Sequence, residues 1–392
     1  MAIPVKTWIP WEDIEAGAQK QLMHLTLLPF AMDHIAVMPD IHQGYGMPIG
    51  TIMKTRDVVV PNAVGVDIGC GMICVKTNVP LTQVTTGALR EVLGGTPDNH
   101  GGIRTRIPTG FNHHKDKVDE SLLPYFEGGP ICFKEKEKAL RQLGTLGGGN
   151  HFIELQAGSD GFLYFMVHSG SRNLGFTVAN HYANMAKMMN DPDVTGIPHE
   201  WQLDPLSLYD SEGILYMEEM SYCMIFAQSS RAHMAGVCME EIQKVFLGAS
   251  TLMSVDTPHN YAVPVGVWEG DGHPPIIHRK GAIFAGKGAI AAIPGSQGTC
   301  SYLVEGLGNE DSFLSASHGA GRKMSRARAR RELILANEQL VMAEIGALHT
   351  LRGKSDLDEA PGAYKDISVV MSRQEDLVTP TVTLKPLASI KA

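Results

Sequence analysis

The stretch Asn62-Ala-Val-Gly-Val-Asp-Ile-Gly-Cys-Gly-Met72 places one carboxylate and one thiol among three glycines, between two apolar runs that predict strands. Because Asp67 and Cys70 lie three residues apart on a glycine-rich turn, both side chains can face one point. A carboxylate offers hard oxygen ligands, and a thiolate offers a soft sulfur that can bridge two metal ions. Two protein ligands do not hold a transition metal well, so a metal site here requires histidines from elsewhere in the chain. The alternative is a tight turn that carries a buried cysteine.

The composition predicts a globular, loop-rich enzyme. Of the 392 residues, 44% are hydrophobic, only 19% are charged, and 42 glycines and 22 prolines are spread along the chain. That hydrophobic content is enough for a large core. The formal charge of -9 argues against a protein that coats nucleic acid nonspecifically, but a local basic groove could still hold an RNA backbone. Global acidity therefore does not exclude an RNA substrate.

Cysteine usage and hydropathy predict a cytoplasmic protein. Six cysteines are scattered without a framework spacing, which favours free thiols in a reducing compartment. The N-terminus does not resemble a signal peptide. No apolar run approaches the roughly 20 residues that span a bilayer, so we expect no membrane segment.

Apolar periodicity predicts the elements that carry the motifs. Helices are predicted over residues 11–28, 135–143, 178–189 and 209–246, with a basic helical stretch over 323–331. Strands are predicted over residues 35–38, 58–60, 73–77, 162–167, 252–255, 262–268 and 276–278. Met217, Met220 and Met224 recur at helical spacing, which favours core packing. Residues 80–129 are predicted to be surface structure, with His113 and His114 as a solvated pair.

Two glycine-rich segments suggest phosphate contacts, and we accept one of them. Gly281–Gly288 nearly spells a P-loop, but Gly288 stands where a P-loop has the Ser or Thr that holds magnesium, so we reject an ATPase. The turn Pro294–Thr299 offers several backbone N–H groups and the Ser296 hydroxyl, which suits a phosphate or nucleotide. The alternative is a plain turn.

Asp40 and His42 form an Asp-x-His pair on a predicted loop over residues 39–46. Metallophosphoesterases contain such a pair, but the pattern is common by chance. We therefore favour a role behind the metal ligands, or in the turn itself, over direct ligation.

Six polar residues follow or lie within glycine-rich turns, and we expect them to form one site. They are Asp67, Cys70, His151, His168, His259 and His318. Each histidine alone is typical of an ordinary structural residue, and only the shared context favours a site. Because a tetrahedral ion takes four ligands, the set predicts either two metals that share the thiolate or one metal plus a catalytic histidine. Both alternatives indicate phosphoryl chemistry.

Seven motifs in this chain resemble the signatures of the RtcB family of RNA ligases. They are Asn62–Met72, Gly147–Glu154, His168–Arg172, His259-Asn260, His278–Ala282, Pro294–Ser296 and His318–Arg322. They occur in the family's order, and the resemblance runs from Ala36 to the C-terminus. It implies a single α+β domain of mixed β-sheets flanked by helices over residues 1–392. The interleaving of strands, helices and site residues along the chain favours the same architecture.

The resemblance implies GTP-dependent joining of an RNA 3′-phosphate or 2′,3′-cyclic phosphate end to a 5′-hydroxyl end, in tRNA splicing or RNA repair. Two Mn²⁺ ions would be held by Asp67, Cys70, His151, His168 and His259, with Cys70 as the bridge. His318 would attack the α-phosphate of GTP to form a histidine–GMP intermediate. The GMP would then activate the RNA 3′-phosphate, and the 5′-hydroxyl would displace it.

The resemblance also implies the contacts to both substrates. The GTP contacts would be Asn150, His151, Phe152, Ile153, Glu154, His259, Asn260, Pro294, Gly295, Ser296, Gln297, Ser301, His318, Gly319, Ala320, Gly321, Tyr364 and Lys391. Arg172, Lys280 and Arg326 would face the RNA phosphates. The chain departs from the family at Gln297, where Met is usual, and at the final Lys391-Ala392, where Lys-Gly is usual. Residues 80–129 match the family poorly, which bears on the choice of RNA.

Two other classes of function are considered. A metal-dependent phosphoesterase acting on terminal or cyclic RNA phosphates would need the metals but no nucleophilic histidine and no guanine pocket. A noncatalytic nucleotide- or RNA-binding protein would leave the whole ligand set unexplained. The sequence identifies no activating partner protein.

Overall fold

The computed structural model describes residues 2–95, 101–123, 129–266 and 272–391. Its helices are α1 (Ala16–Thr26), α2 (Thr86–Leu93), α3 (Ile103–Arg106), α4 (Pro130–Gln142), α5 (Arg172–Met189), α6 (Pro192–Thr195), α7 (Ser211–Val245), α8 (Arg326–Glu332), α9 (Leu335–Ile345) and α10 (Ile367–Ser372). Its strands are β1 (Val5–Thr7), β2 (Ala31–His42), β3 (Ile49–Thr55), β4 (Val58–Val59), β5 (Gly71–Pro80), β6 (Phe152–Gly158), β7 (Phe162–Ser169), β8 (Leu206–Ser207), β9 (Thr251–Pro258), β10 (Asn260–Pro264), β11 (Ile276–Lys280), β12 (Ala282–Phe284), β13 (Ile290–Ile293), β14 (Ser301–Gly306), β15 (Ser315–Ser317) and β16 (Val378–Ile390).

The larger sheet has seven antiparallel strands in the order β13-β14-β16-β6-β7-β5-β9. Alternate residues of its central strands, such as Ile73, Val75 and Phe165, point to one face and are buried there. Helices α2 and α7 cover this face, and α7 contributes Met234 and Ile242 to the same core. The face that carries the core therefore lies under the longest helix of the described chain.

The second sheet has five strands in the order β1-β2-β3-β11-β10, and only the β1–β2 pair is parallel. Strand β2 is buried on both faces. Ile35 and Val37 pack against α1, whereas Ala36 and Met38 face the core that also contains Ile293 of the larger sheet. This alternation places β2 between α1 and the other sheet, and the end of β2 reaches the functional site.

The structure confirms an α+β fold of mixed sheets flanked by helices. Helix α7 lies within two residues of its predicted bounds, and Met220 is fully buried as the spacing predicted. Two predictions were wrong. Strand β2 continues through Asp40 to His42, so that part of the predicted loop is strand. Residues 80–129 were predicted to be surface structure, but α2 and α3 bury Leu89, Val92 and Ile103 in the core of the larger sheet, and His114 of the predicted solvated pair is half-buried. After Gly288 the chain enters β13 and not a helix, which agrees with the rejection of a P-loop. In the described part, no helix combines the length and the apolar character that a membrane crossing requires.

Candidate metal and nucleotide site

Four neighbouring strands of the larger sheet place polar residues at the same end of the sheet. Cys70 directly precedes β5, His151 directly precedes β6, His168 lies near the end of β7, and His259 directly follows β9. Because adjacent strands are antiparallel, the start of each lies beside the end of its neighbour. Residues that are far apart in the sequence are therefore gathered at one place by the sheet itself.

The gathered side chains form two groups that share one thiol. Cys70, His168 and His259 form the first group, and Asp67, Cys70 and His151 form the second, with the ligand atoms of each group within 4.8 Å of one another. The Cys70 Sγ lies 3.3 Å from Nε2 of both His151 and His168, and the His151 Nε2 lies 2.9 Å from an Asp67 oxygen. This arrangement matches the predicted set of five ligands with Cys70 in the shared position.

Hydrogen bonds and unpaired nitrogens test whether this set fits a metal. The His168 Nδ1 lies 3.1 Å from the Asn150 carbonyl, which makes Nδ1 the protonated nitrogen and leaves the Nε2 lone pair facing Cys70. The Nδ1 atoms of His151 and His259 are buried and have no hydrogen-bond partner among the described residues. Thiolate, imidazole and carboxylate are all ligands of divalent transition metals. The residues therefore fit a pair of such ions.

Burial controls the protonation of the ligand group. Burial, followed by the nearby Asp67 carboxylate, raises the pKa of Cys70 well above its usual value. Burial lowers the pKa of His168 and His259 well below the usual range. Burial alone would raise the pKa of Asp67, but His151, Cys70 and His168 together outweigh it and the pKa is lowered. A metal must therefore displace a proton from the Cys70 thiol, whereas His168 and His259 are already neutral.

A buried arginine that the sequence analysis missed supports the ligand loops. Arg231 on α7 is 1% exposed, and its Nη1 donates to the carbonyls of Gly69 and Ser169 at 2.7 and 2.9 Å. Nε and Nη2 form a two-pronged ion pair with Asp256 at 2.6 and 2.8 Å. Since Gly69 precedes Cys70 and Ser169 follows His168, this one guanidinium holds two ligand-bearing segments together.

His318 directly follows β15 and lies beside the ligand group, with its ring centroid 4.8 Å from that of His259. Its Nδ1 lies 2.7 Å from an oxygen of the fully buried Asp40, which also accepts from the His318 backbone N–H at 3.1 Å. The carboxylate makes Nδ1 the protonated nitrogen and leaves a lone pair on Nε2. The turn that follows His318 packs closely on β2, which carries Asp40. A Cβ at Gly321, whose φ is +69°, would lie 2.2 Å from the Asp40 carbonyl oxygen.

A cavity of about 630 Å³ opens beside His318 and the ligand group, a size that accommodates a nucleotide. The predicted GTP contacts that line it are Asn150, Phe152, Glu154, His259, Asn260, Pro294, Gly295, Ser296, Gln297, Ser301, His318, Gly319, Ala320, Gly321, Tyr364 and Lys391. Two predicted contacts do not line it: Ile153 packs in the core of the larger sheet, and His151 is buried against Asp67 and Cys70. Ala392 lies outside the described residues.

One carboxylate, which the sequence analysis did not identify, joins the nucleotide and RNA sides of the cavity. Glu359 is 6% exposed, and one of its oxygens accepts from Arg322 at 3.2 Å and Arg326 at 3.1 Å. The other oxygen accepts from the Tyr364 hydroxyl, and from Lys391 at 3.1 Å. Burial alone would raise the pKa of Glu359, but these partners outweigh it and lower the pKa to about 2. Glu359 therefore orders three predicted substrate contacts at once.

This carboxylate should make stability depend on pH. The pKa of Glu359 is about 2 in the folded protein, against an ordinary value of 4.5 for a glutamate in an unfolded chain, so its contribution is present above about pH 4.5 and is lost as the pH falls toward 2. We expect Glu359→Gln to lower the free energy of unfolding by on the order of 3 kcal/mol at pH 7, and by less at about pH 3.5. Denaturant unfolding measures both values, with the exposed Glu344→Gln as control. A difference that is constant with pH would contradict this account.

The three residues predicted to face RNA phosphates occupy different positions. Arg326 lies at the cavity mouth, with Nη2 3.5 Å from the Asn150 side-chain oxygen. Arg172 begins α5 with a φ of +57°, and its Nε donates to the Thr145 hydroxyl at 3.1 Å. Lys280 lines the cavity, but its Nζ donates to the carbonyls of Tyr45 and Asn62 at 2.5 and 2.8 Å. Burial lowers the pKa of Lys280 to about 7. The two hydrogen bonds of its Nζ hold two loops of the cavity wall together.

Comparison with known proteins places these features in a family. A family model described as "tRNA-splicing ligase RtcB" matches residues 21–126 and 127–392. The RNA-splicing ligase RtcB of Escherichia coli strain K12 is 33% identical over 417 aligned positions, which cover 99% of this chain and 97% of that protein. The tRNA-splicing ligase RtcB of Nanoarchaeum equitans is 26% identical over 460 positions, covering 100% of this chain and 96% of the relative.

Proposed function

The chain belongs to the RtcB family of tRNA-splicing ligases, and from this premise we propose that it joins RNA 3′-phosphate or 2′,3′-cyclic phosphate ends to 5′-hydroxyl ends by means of GTP and Mn²⁺. The family makes the chain an RNA ligase, whereas the end chemistry, the nucleotide and the metal are part of the proposal. One observation carries it: His318, oriented by Asp40, lines a nucleotide-sized cavity together with a ligand group built around one shared thiol.

The metal group would hold two Mn²⁺ ions, one bound by Cys70, His168 and His259 and the other by Asp67, Cys70 and His151. When bound, such ions offset the charge of a triphosphate and of a second phosphate brought beside it. The protein provides the geometry for this. Arg231 fixes the loops of Cys70 and His168 before any ion enters.

His318 would act as the nucleophile through its Nε2. A bond forms between Nε2 and the α-phosphorus of GTP while the bond to the β-phosphate oxygen breaks, and pyrophosphate leaves. Asp40 keeps the proton on Nδ1 and stabilises the positive charge that develops on the ring. In the second step the RNA 3′-phosphate attacks the same phosphorus and His318 leaves. The 5′-hydroxyl oxygen then attacks the RNA phosphorus, GMP departs, and the strand is joined.

The cavity walls would select guanine. Glu154 is 3% exposed, and burial raises its pKa to about 8, with Gln156 and Lys391 partly offsetting the effect. When guanine binds, the Glu154 carboxyl would lose its proton, because its two oxygens then accept hydrogen bonds from N1–H and N2–H, whereas adenine has no matching pair of donors. Phe152 and Tyr364 line the same cavity and offer rings for stacking.

Two further features support the broader proposal. Residues from both sheets meet in one site, which favours a single catalytic domain over residues 1–392. The cysteines are free thiols, which favours a reducing cytoplasm.

The direct test is an RNA-joining assay. With GTP and Mn²⁺, the protein is expected to join a strand that ends in a 3′-phosphate to a strand that begins with a 5′-hydroxyl, and to need both cofactors. Denaturing electrophoresis measures the joined product. A strand with a 3′-hydroxyl serves as the control and should not be joined. If the ends only lose their phosphate, the metal-dependent phosphoesterase is the correct function.

A further inference from the structure

Phe111 is the most exposed large hydrophobic side chain among the described residues, with a relative exposure of 104%. A single exposed apolar side chain is common on protein surfaces and indicates nothing by itself. Phe111 therefore matters only if its turn lies close to the metal group. Phe111 lies on a turn within residues 80–129, the region that resembles the family poorly and carries none of the assigned site residues.

The turn that carries Phe111 is fixed to the segment that leads into the metal site. The Gly110 N–H donates to the Leu146 carbonyl and the Leu146 N–H donates to the Pro108 carbonyl, both at 2.9 Å. Thr109 and Leu146 also form a parallel bridge. Residues 147–149 follow directly and end at Asn150 and the ligand His151. Phe111 therefore has a defined position relative to the ligands.

Arg172 connects this turn to the metal group. Its Nη2 donates to the Gly110 carbonyl. Its Nη1 and the His151 Nδ1 both lie close to Gly147. A Cβ built on Gly147 would lie 2.6 Å from the Arg172 Nη1 and 2.0 Å from the His151 Nδ1. The guanidinium thus lies between the Phe111 turn and a proposed metal ligand.

The Phe111 turn and Arg172 lie outside the nucleotide cavity. Bound GTP would therefore leave the exposed Phe111 ring and the half-buried Arg172 accessible to a second substrate. The exposed residues after Phe111 include His113, Lys115 and Lys117, although Asp116 lies between the two lysines and Lys117 pairs with Glu137. An aromatic ring among cations beside a catalytic site is the combination that binds single-stranded nucleic acid.

We propose that Phe111 is a stacking platform for one nucleobase of the RNA substrate close to the ends being joined, while Arg172 contacts a neighbouring phosphate. The inference rests on the proposed RNA ligase function. Stacking on a ring accepts any base, so this contact recognises an unpaired end and not a sequence. The base belongs either to the 3′-phosphate strand or to the 5′-hydroxyl strand, and the experiment separates the two.

The test measures the dissociation constant of each fluorescent RNA strand by anisotropy. For one of the strands we expect Phe111→Ala to bind about tenfold more weakly, the loss expected for one base stacked on an aromatic ring, and Phe111→Trp to restore binding. Leu247→Ala is the control, because Leu247 is also exposed, at 93%, but lies far from the site. It precedes Gly248, whose carbonyl accepts a hydrogen bond from the Asn78 side chain. Asn78 is seven residues along β5 from Gly71, about 20 Å from the site.

An RNA with one abasic nucleotide supplies the decisive comparison. At the stacked position, removal of the base should weaken binding to the wild type about tenfold and leave binding to Phe111→Ala unchanged, because the partner is already missing. Unchanged binding of both strands by Phe111→Ala, failure of Phe111→Trp to restore binding, or an equal loss in Leu247→Ala would overturn the inference. A wild type that joins no RNA ends would instead overturn the proposed function.

Discussion

His318→Ala is expected to abolish the covalent labelling of the protein by α-labelled GTP. The wild type should acquire an acid-labile, alkali-stable label in the presence of Mn²⁺, because the proposed first step forms a bond between the His318 Nε2 and the α-phosphorus. In the metal group His151 and His168 direct Nε2 at Cys70, whereas His318 directs Nδ1 at Asp40 and keeps Nε2 available. The variant should retain less than about one thousandth of the labelling rate, the scale of a lost nucleophile.

The control for this prediction is His181→Ala, because His181 lies on α5 outside the site and its ring contacts Tyr182. It should be labelled as the wild type is. Label that persists in His318→Ala would show that another residue is the nucleophile. Labelling followed by electrophoresis after acid and after alkali treatment distinguishes a phosphoramidate from an ester.

Cys70→Ala is expected to lose both metal ions. Because Cys70 belongs to both ligand groups, one substitution removes the shared ligand and leaves each group with two protein ligands, too few for firm binding. Elemental analysis of the purified protein should find less than about a tenth of the wild-type manganese, and joining activity should fall by a factor of about a thousand or more.

Cys74→Ala is the matched control for this loss. Cys74 lies four residues further along the chain in β5, is also fully buried, and packs in a separate apolar cluster with Tyr164 and Met166. It should keep its manganese, although both variants remove a buried sulfur. Undiminished manganese in Cys70→Ala, or an equal loss in Cys74→Ala, would contradict the bridging role.

The residues proposed to hold the metals could be predicted from the sequence, whereas the residues that support them, such as Arg231 and Glu359, could not. Asp67 and Cys70 stand out because glycines surround them, and the later histidines stand out for the same reason. Asp40 was placed in a role behind the ligands, but its partner His318 is 278 positions away, so no local pattern links the two. In the sequence, Glu359 looks like an ordinary acidic residue in a charged turn. Arg231 looks like an ordinary basic residue on a helix. Only the fold shows that each holds several site segments.

The same division holds for the secondary structure. Helix α7 was predicted because Met217, Met220 and Met224 recur at helical spacing within this long segment. Strand β16 was not predicted, although it lies between β14 and β6 in the larger sheet, because Pro380 and Pro386 interrupt its pattern. The sheet accommodates Pro386 where the β16–β6 register shifts, between Pro386 and Ala388. Such a shift depends on the neighbouring strand and leaves no signal in the sequence of β16 itself.

The most direct test of the proposed mechanism is a chase of the isolated, labelled protein. The wild type is labelled with α-labelled GTP, freed of nucleotide, and mixed with Mn²⁺ and an RNA strand that ends in a 3′-phosphate. We predict that the label moves from the protein to this RNA and that a 5′-hydroxyl strand, added next, releases it as GMP while a joined strand appears. Label that remains on the protein, or that leaves as GMP without first passing to the RNA, would contradict the mechanism.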